Sequence, residues 1–351
     1  MSPKPVIFGI TPEFMTREGL SDEVQPWEDG LRADTGRGSF EWWYFDAHFE
    51  DGSTAVIVFN TKHLLRRNDP LRPLVNITIN PPGGKKLVAW QPSPAEQFHA
   101  STERCDVRMG DSRVQGDLHR YELHARAGNL AADLVFTGVV PPWRPGAGKS
   151  YFSQDLRRYF AWLPAIPDGA VTGSLTYDGQ VHPVSGSGYH DHNWGNVGLN
   201  DVMSHWYWGR GRIGDFTTIY VDQVALPAYG SIHMPVFMLA YQGRILTGDG
   251  RPLKLQTGDF MHHPSGKEYP RQLDFDWKTD EGKIHLALRQ PQIIEAASLI
   301  GDLPAWQQWL IHRVANPYYF RFQAELALSV DLQGIKTQVN GPALYELMLL
   351  R

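Results

Sequence analysis

The ten residues Gly186-Ser187-Gly188-Tyr189-His190-Asp191-His192-Asn193-Trp194-Gly195 set two imidazoles, a carboxyl, an amide, a phenol and an indole between glycines. Such groups are costly to bury unless each finds a partner, so their density marks a place where protons are given, taken or held. In an extended chain, side chains alternate between faces. That puts His190, His192 and Trp194 on one side and Tyr189, Asp191 and Asn193 on the other. By the same rule Tyr220 and Asp222 project together from the later run 216–222. An acid, an imidazole and an indole are therefore expected to converge on one cavity.

The chemistry that suits such a set is protonation of an unactivated alkene. A carboxyl held neutral in an apolar site supplies the proton, because desolvation raises its pKa. Asp222 is the expected general acid. His192 is the base or water-orienting group, and Trp194 and Tyr220 form the wall whose quadrupoles face the cation. A second aromatic run, Glu41-Trp42-Trp43-Tyr44-Phe45, opens a strand in which Trp42, Tyr44, Asp46 and His48 alternate against Trp43, Phe45, Ala47 and Phe49. One of these faces is core-like; from the other, Trp42 and Tyr44 join His190 and Asn193 as expected substrate-binding residues. Each position also has a plainer role. Asp222 would hydrogen-bond a loop, His192 would bridge core backbone groups, Asp191 would pin a turn or a histidine, and Glu41 would pair with Arg37.

His190 and His192 have a same-face spacing that metal enzymes use, but nothing in the spacing of Glu41, His48, His205 or His233 selects further ligands, so no metal is expected. No cofactor is expected either: the chain has no Gly-rich phosphate loop and no Gly-x-Ser-x-Gly frame. Cys105, the sole cysteine, excludes an intramolecular disulfide and a thiolate cluster; in its polar stretch it is expected to be inert. The His262-His263 pair reads as a solvated loop.

The elements that must position these residues are strands. Runs rich in β-branched and aromatic residues, such as 53–59, 75–79, 121–125, 131–136, 216–222, 236–241, 284–288 and 320–326, recur between turn signals such as Asp51-Gly52, Asp178-Gly179 and Gly248-Asp249-Gly250. The pattern predicts an all-β chain of two tandem antiparallel β-barrel or sandwich domains with few short helices. The expected division is an N-terminal extension over 1–30, one domain over 31–196 and another over 197–351. One or two short helices are expected between Ile293 and Val314, and a loop over 141–148.

With 351 residues, 42% of them hydrophobic, the chain can bury a substantial core; its 33 basic and 38 acidic residues leave a net charge of -5, which gives nucleic acid no footprint. No leader-like segment opens the sequence and no run approaches the roughly twenty apolar residues that span a bilayer, so a cytoplasmic setting is expected. The 12 tryptophans provide large apolar surfaces for a core or a pocket.

The two aromatic motifs, Glu41 to Phe45 and Gly188 to Gly195, resemble those of the carotenoid hydratase (hydroxyneurosporene synthase) family and its relatives, which include kievitone hydratase and lipocalin-like fungal Diels-Alderases. The resemblance covers most of the chain from about Gly36. It implies two lipocalin-like β domains with an apolar pocket, and addition of water to an isoprenoid double bond without a cofactor. The family's His and Trp pair matches His192 and Trp194, and its downstream Tyr and Asp pair matches Tyr220 and Asp222. The expected function is thus a hydratase or proton-initiated cyclase acting on an apolar, isoprenoid C=C bond. The alternatives are a pericyclase that folds a polyene, as in the Diels-Alderase branch, and a carrier that binds an apolar ligand unchanged. A lipophilic substrate brings peripheral membrane contact into view, although no polybasic amphipathic segment argues for it; oligomeric state is not legible.

Overall fold

The computed structural model describes residues 3–63, 66–298 and 317–351. The chain divides into two compact units, Ile7–Gly198 and Leu199–Arg351 with Met1–Val6. Each is built on one antiparallel sheet, of thirteen and nine strands. Among the described residues the α-helices are short, Pro12–Glu18 and Leu199–Val202. The all-β expectation is met.

In the N-terminal unit the strands Phe40–Phe49, Gln180–Gly195 and Tyr159–Tyr177 lie side by side at the middle of the sheet. The sheet curls, so Ala89 near one end of the strand order approaches Gly128 from the other side. Trp43, Phe45, Ala47, Phe49 and Trp194 point into a core shared with Ile57, Phe59, Ile77, Leu123 and Phe136. The stretch 7–30 is part of this unit: Ile7–Phe8 pairs with Lys149–Tyr151, and a 3-10 turn at Pro26–Asp29 carries two buried acids. Gly186 and Gly188 are required by close approach. A Cβ on Gly186 would lie 2.1 Å from the His48 carbonyl oxygen, and one on Gly188 2.5 Å from Val171 and 2.7 Å from the Phe136 ring.

In the C-terminal unit Met203–Ile213, Phe216–Ala225 and His233–Tyr241 are neighbours on one side of the sheet. Tyr220 and Phe237 meet Phe275 and Trp277 across the interior, at 5.0 and 6.5 Å between ring centroids. The Trp277 indole donates to the Asp249 carbonyl at 2.7 Å, which ties the two ends of the curled sheet together.

The helix expected after Ile293 is corrected in part. Ile293–Ser298 continues the strand Gly282–Ser298, with Ile293 opposite Phe322, because the β-branched pair Ile293-Ile294 favours the pleated ladder; the rest of that segment, 299–314, lies outside the described residues. His262 ends the strand Lys254–His262 and pairs with Glu268 at 2.9 Å, so it is strand rather than loop, though it is well exposed. The segment 141–148 is a loop, as expected.

Candidate functional site

The strand Gln180–Gly195 separates its polar residues onto two faces. His190, His192 and Trp194 stand opposite Phe45, Trp43 and Glu41, while Tyr189, Asp191 and Asn193 stand opposite Asp46, Tyr44 and Trp42. Each ladder neighbour becomes a packing partner. The His190 ring stacks on Phe45 at 3.9 Å, and His192 lies between Trp43 at 4.8 Å and Trp194 at 4.7 Å.

The inward face closes into a network of four ionisable groups, each at most 1% exposed. Nε2 of His192 meets Oε1 of Glu41 at 2.7 Å, and Nε2 of His190 meets Oδ2 of Asp29 at 3.1 Å. Nδ1 of His190 donates to the carbonyl of Tyr44 at 2.9 Å, since a carbonyl can only accept. Glu41 also accepts from the backbone N–H groups of Arg32 and Ala33, and Asp29 accepts from the Tyr121 hydroxyl at 2.5 Å. Two carboxylates thus face two imidazoles, and the charges balance when both rings are protonated. Burial works to raise the Asp29 carboxyl, but the charge and hydrogen bond of His190, the charge of His192 and the Tyr121 hydroxyl together hold it below its ordinary value. Nδ1 of His192 and Oδ1 of Asp29, 3.4 Å apart, are the network's atoms without a hydrogen bond.

Glu41 therefore does not pair with Arg37, as its sequence context had led us to expect. Arg37 donates to the Asn68 carbonyl, while Glu41 points inward to His192. Cys105, expected to be inert, is indeed held as a thiol. It is 1% exposed, and burial followed by the neighbouring Asp29 and Asp106 charges pushes its thiol well up. Asp29, Cys105 and His190 hold donor atoms within 4.8 Å of one another, close enough to consider a metal ion, but Oδ2 of Asp29 is already shared by Tyr121 and His190. Asp29 was invisible to sequence reasoning because it lies 161 residues before His190. The 3-10 turn that presents it is anchored by Glu28, whose Oε2 accepts from buried Arg144 at 2.6 Å.

The other face carries Asp191, which pins neither a turn nor a histidine. Its Oδ2 accepts from the Trp162 indole at 2.7 Å and the Tyr189 hydroxyl at 2.8 Å, and its Oδ1 from the Asn193 amide at 2.7 Å. Burial raises this carboxyl to about 6, against the three donors and the charge of His190. Of the expected substrate-binding residues, Trp42, Tyr44 and Asn193 share this face, and His190 does not.

Tyr220 and Asp222 belong to the C-terminal unit and do project together, both buried. Tyr220 packs on Phe275, and burial pushes its hydroxyl well up. Asp222, 3% exposed, lies opposite Tyr207 on one side and Pro235 on the other. Burial raises its carboxyl, offset by the hydrogen bond and charge of His233, whose Nδ1 meets Oδ2 at 2.7 Å. The His233 side chain is 63% exposed, so a buried acid is joined to water through one imidazole. Sequence spacing had not tied His233 to Asp222; their register, with His233 opposite Val224, does. No helix among the described residues is long and apolar enough to cross a membrane.

A family model described as AttH-like matches residues 33–297. The chain is 28% identical over 201 residues to the quinolone epoxide rearrangement protein penF of Penicillium thymicola, covering 53% of this chain and 56% of that protein. It is 21% identical over 246 residues to the ceramide-binding protein svf1 of Schizosaccharomyces pombe, covering 67% and 65%. To hydroxyneurosporene dehydrogenase of Chlorobaculum tepidum it is 28% identical over 214 residues, covering 49% and 53%. The chain therefore spans between about half and two thirds of the length of these relatives. Among solved structures, a candidate AttH of Nitrosomonas europaea superposes with a TM-score of 0.60 at 15% identity, covering 97% of this chain and 99% of that one. Kievitone hydratase of Nectria haematococca gives 0.54 at 13% identity, covering 99% and 96%. At these identities the likeness is one of fold.

Proposed function

The chain belongs to the AttH-like family, and from that premise we propose that it binds an apolar small molecule and delivers a proton to one of its carbon–carbon double bonds without a cofactor, as a hydratase or proton-initiated cyclase of an isoprenoid. The observation that carries this is Asp222: a carboxyl inside a β unit, raised by burial, beside the buried phenol of Tyr220 and joined to water through His233. A carboxyl so placed is uncharged over more of the pH range than an exposed one and keeps a proton to give. Relatives named for a hydratase, an epoxide rearrangement and ceramide binding support an apolar substrate with acid-assisted chemistry.

In this proposal Tyr220 faces the developing cation. The motif resemblance assigns His192 the role of base or water-orienting group and Trp194 that of a cation-facing wall. His192 is, however, sealed within the N-terminal unit and bonded to Glu41, so the proposal rests on Asp222 and Tyr220. Trp42, Tyr44 and Asn193 are proposed, separately, to contact an apolar ligand on their own face of the N-terminal unit. The test is incubation of the pure chain with a panel of isoprenoids and polyenes in heavy-oxygen water. Labelled product marks hydration and an unlabelled isomer marks cyclisation. Starting material recovered intact despite tight binding rejects the enzyme in favour of a carrier.

A pericyclase is the second reading. Positioning then supplies the acceleration, so pocket-filling substitutions would lower turnover more than Asp222→Asn.

A further inference from the structure

Asp191 is a buried carboxyl bonded only to neutral donors. Buried charges are ordinarily paired with opposite ones, as Glu28 is here with Arg144, while Asp29 and Glu41 each meet an imidazole. Asp191, 7% exposed, has instead an indole N–H, a phenol O–H and an amide N–H. These three bonds fix the plane of the carboxyl. Two fall on Oδ2 and one on Oδ1, which leaves Oδ1 the better seat for a proton.

The surroundings of Asp191 are aromatic and are not part of the hydrophobic core of the N-terminal unit. Phe40 stacks on Trp42 at 5.5 Å, Trp42 meets Phe160 at 6.2 Å, Trp143 meets Trp162 edge-on at 6.1 Å, and Tyr44 meets Tyr189 at 6.3 Å. This face is also less sealed than the opposite one. Asp191, Asn193 and Trp162 are 6–7% exposed and Tyr44 and Trp42 only partly buried, whereas His190 and His192 are at 0%. The titratable groups around Asp191 are Tyr44 and Asp46 of the Phe40–Phe49 strand, which bond one another at 3.2 Å, and Tyr189 and His190 of its own strand.

We infer that Asp191, held by Trp162, Tyr189 and Asn193, is a second proton-donating acid for an apolar substrate, complete within the N-terminal unit. The inference rests on the proton chemistry proposed above and locates a second seat for it. The proton on Oδ1 passes to an alkene carbon, the π pair forms the new C–H bond, and the neighbouring carbon is left as a cation facing the indoles. The carboxylate keeps its three hydrogen bonds. Water then adds to the cation and gives up a proton to Asp191, which restores the acid.

Two measurements separate this inference from the function it rests on. Infrared titration of the full chain should show a protonated carboxyl band with a midpoint at about pH 6. The band should be missing in Asp191→Asn. In Trp162→Phe, which removes one donor and leaves the acid in place, the midpoint should move to higher pH. A wild-type spectrum identical to that of Asp191→Asn, or an unmoved midpoint in Trp162→Phe, overturns the inference. With geranylgeraniol as the probe in deuterium oxide, the deuterium that Asp222→Asn still delivers to carbon should fall about a further hundredfold when Asp191→Asn is added; an undiminished residual overturns it. A wild-type chain that delivers no deuterium contradicts the proposed reaction itself, and the infrared titration still decides whether Asp191 is the poised acid.

Discussion

The two units each bring carboxyls and imidazoles together, with opposite consequences. In the N-terminal unit Asp29, Glu41, His190 and His192 are all sealed, and each carboxyl meets an imidazole. In the C-terminal unit Asp222 is as deeply buried, but its histidine stands 63% in solvent and its carboxyl is raised, whereas that of Asp29 is lowered. A closed set of partners holds protons where they are; a buried acid with one partner open to water can exchange and deliver one. The contrast teaches that residue type does not distinguish a structural network from a reactive site. The number of compensating charges and their access to water do.

The largest expected effect breaks the closed network. Asp29→Ala leaves His190 without its carboxylate partner and the Tyr121 hydroxyl without its acceptor, and should cost about 3–5 kcal/mol, the range for breaking a buried pair; urea unfolding checks it. If the loss is below about 1 kcal/mol, the network is not the support described. Because the Asp29 carboxyl is lowered on folding, its contribution stands above its unfolded value of 3.8 and is lost as pH falls through the folded one.

Asp191 sharpens the comparison within one strand, since its shift has the other sign. Its folded value, raised from 3.8 to about 6, means its contribution is whole below about pH 4 and is lost as pH rises through about 6. Relative to Asp191→Asn, the wild type should therefore lose about 3 kcal/mol between pH 4 and pH 7. Thermal unfolding of both across that range decides; a constant difference contradicts the raised carboxyl.

The smallest effect is a shift of a pH limb. His233→Gln removes the charge and ring hydrogen bond that lower the Asp222 carboxyl, so the limb assigned to this acid should move to higher pH while the fold is kept. An unmoved limb would show that His233 is a bystander.

Much of this contrast was legible in the sequence. Alternation placed His190, His192 and Trp194 on one face and Tyr189, Asp191 and Asn193 on the other, and set Tyr220 beside Asp222, because the period of a strand is fixed by its pleat. What alternation cannot give is the partner across the sheet. Glu41 found His192 rather than Arg37, and Asp191 found Trp162, through ladder registers that only the folded chain defines. Asp29 had no local signal: it falls in the stretch 1–30 expected as an N-terminal extension, and Arg144 bonding Glu28 and Tyr121 bonding Asp29 hold that stretch inward. The helix expected from the leucine and tryptophan spacing after Ile293 begins instead as strand, where pairing with Phe322 and Arg321 outweighs local periodicity.

The central claim is that Asp222 gives the proton, and turnover of Asp222→Asn measures it most directly. On the isoprenoid that the wild type converts, the variant should fold and bind as the wild type does and lose at least about a hundredfold in kcat. A folded Asp222→Asn with wild-type kcat would contradict the account.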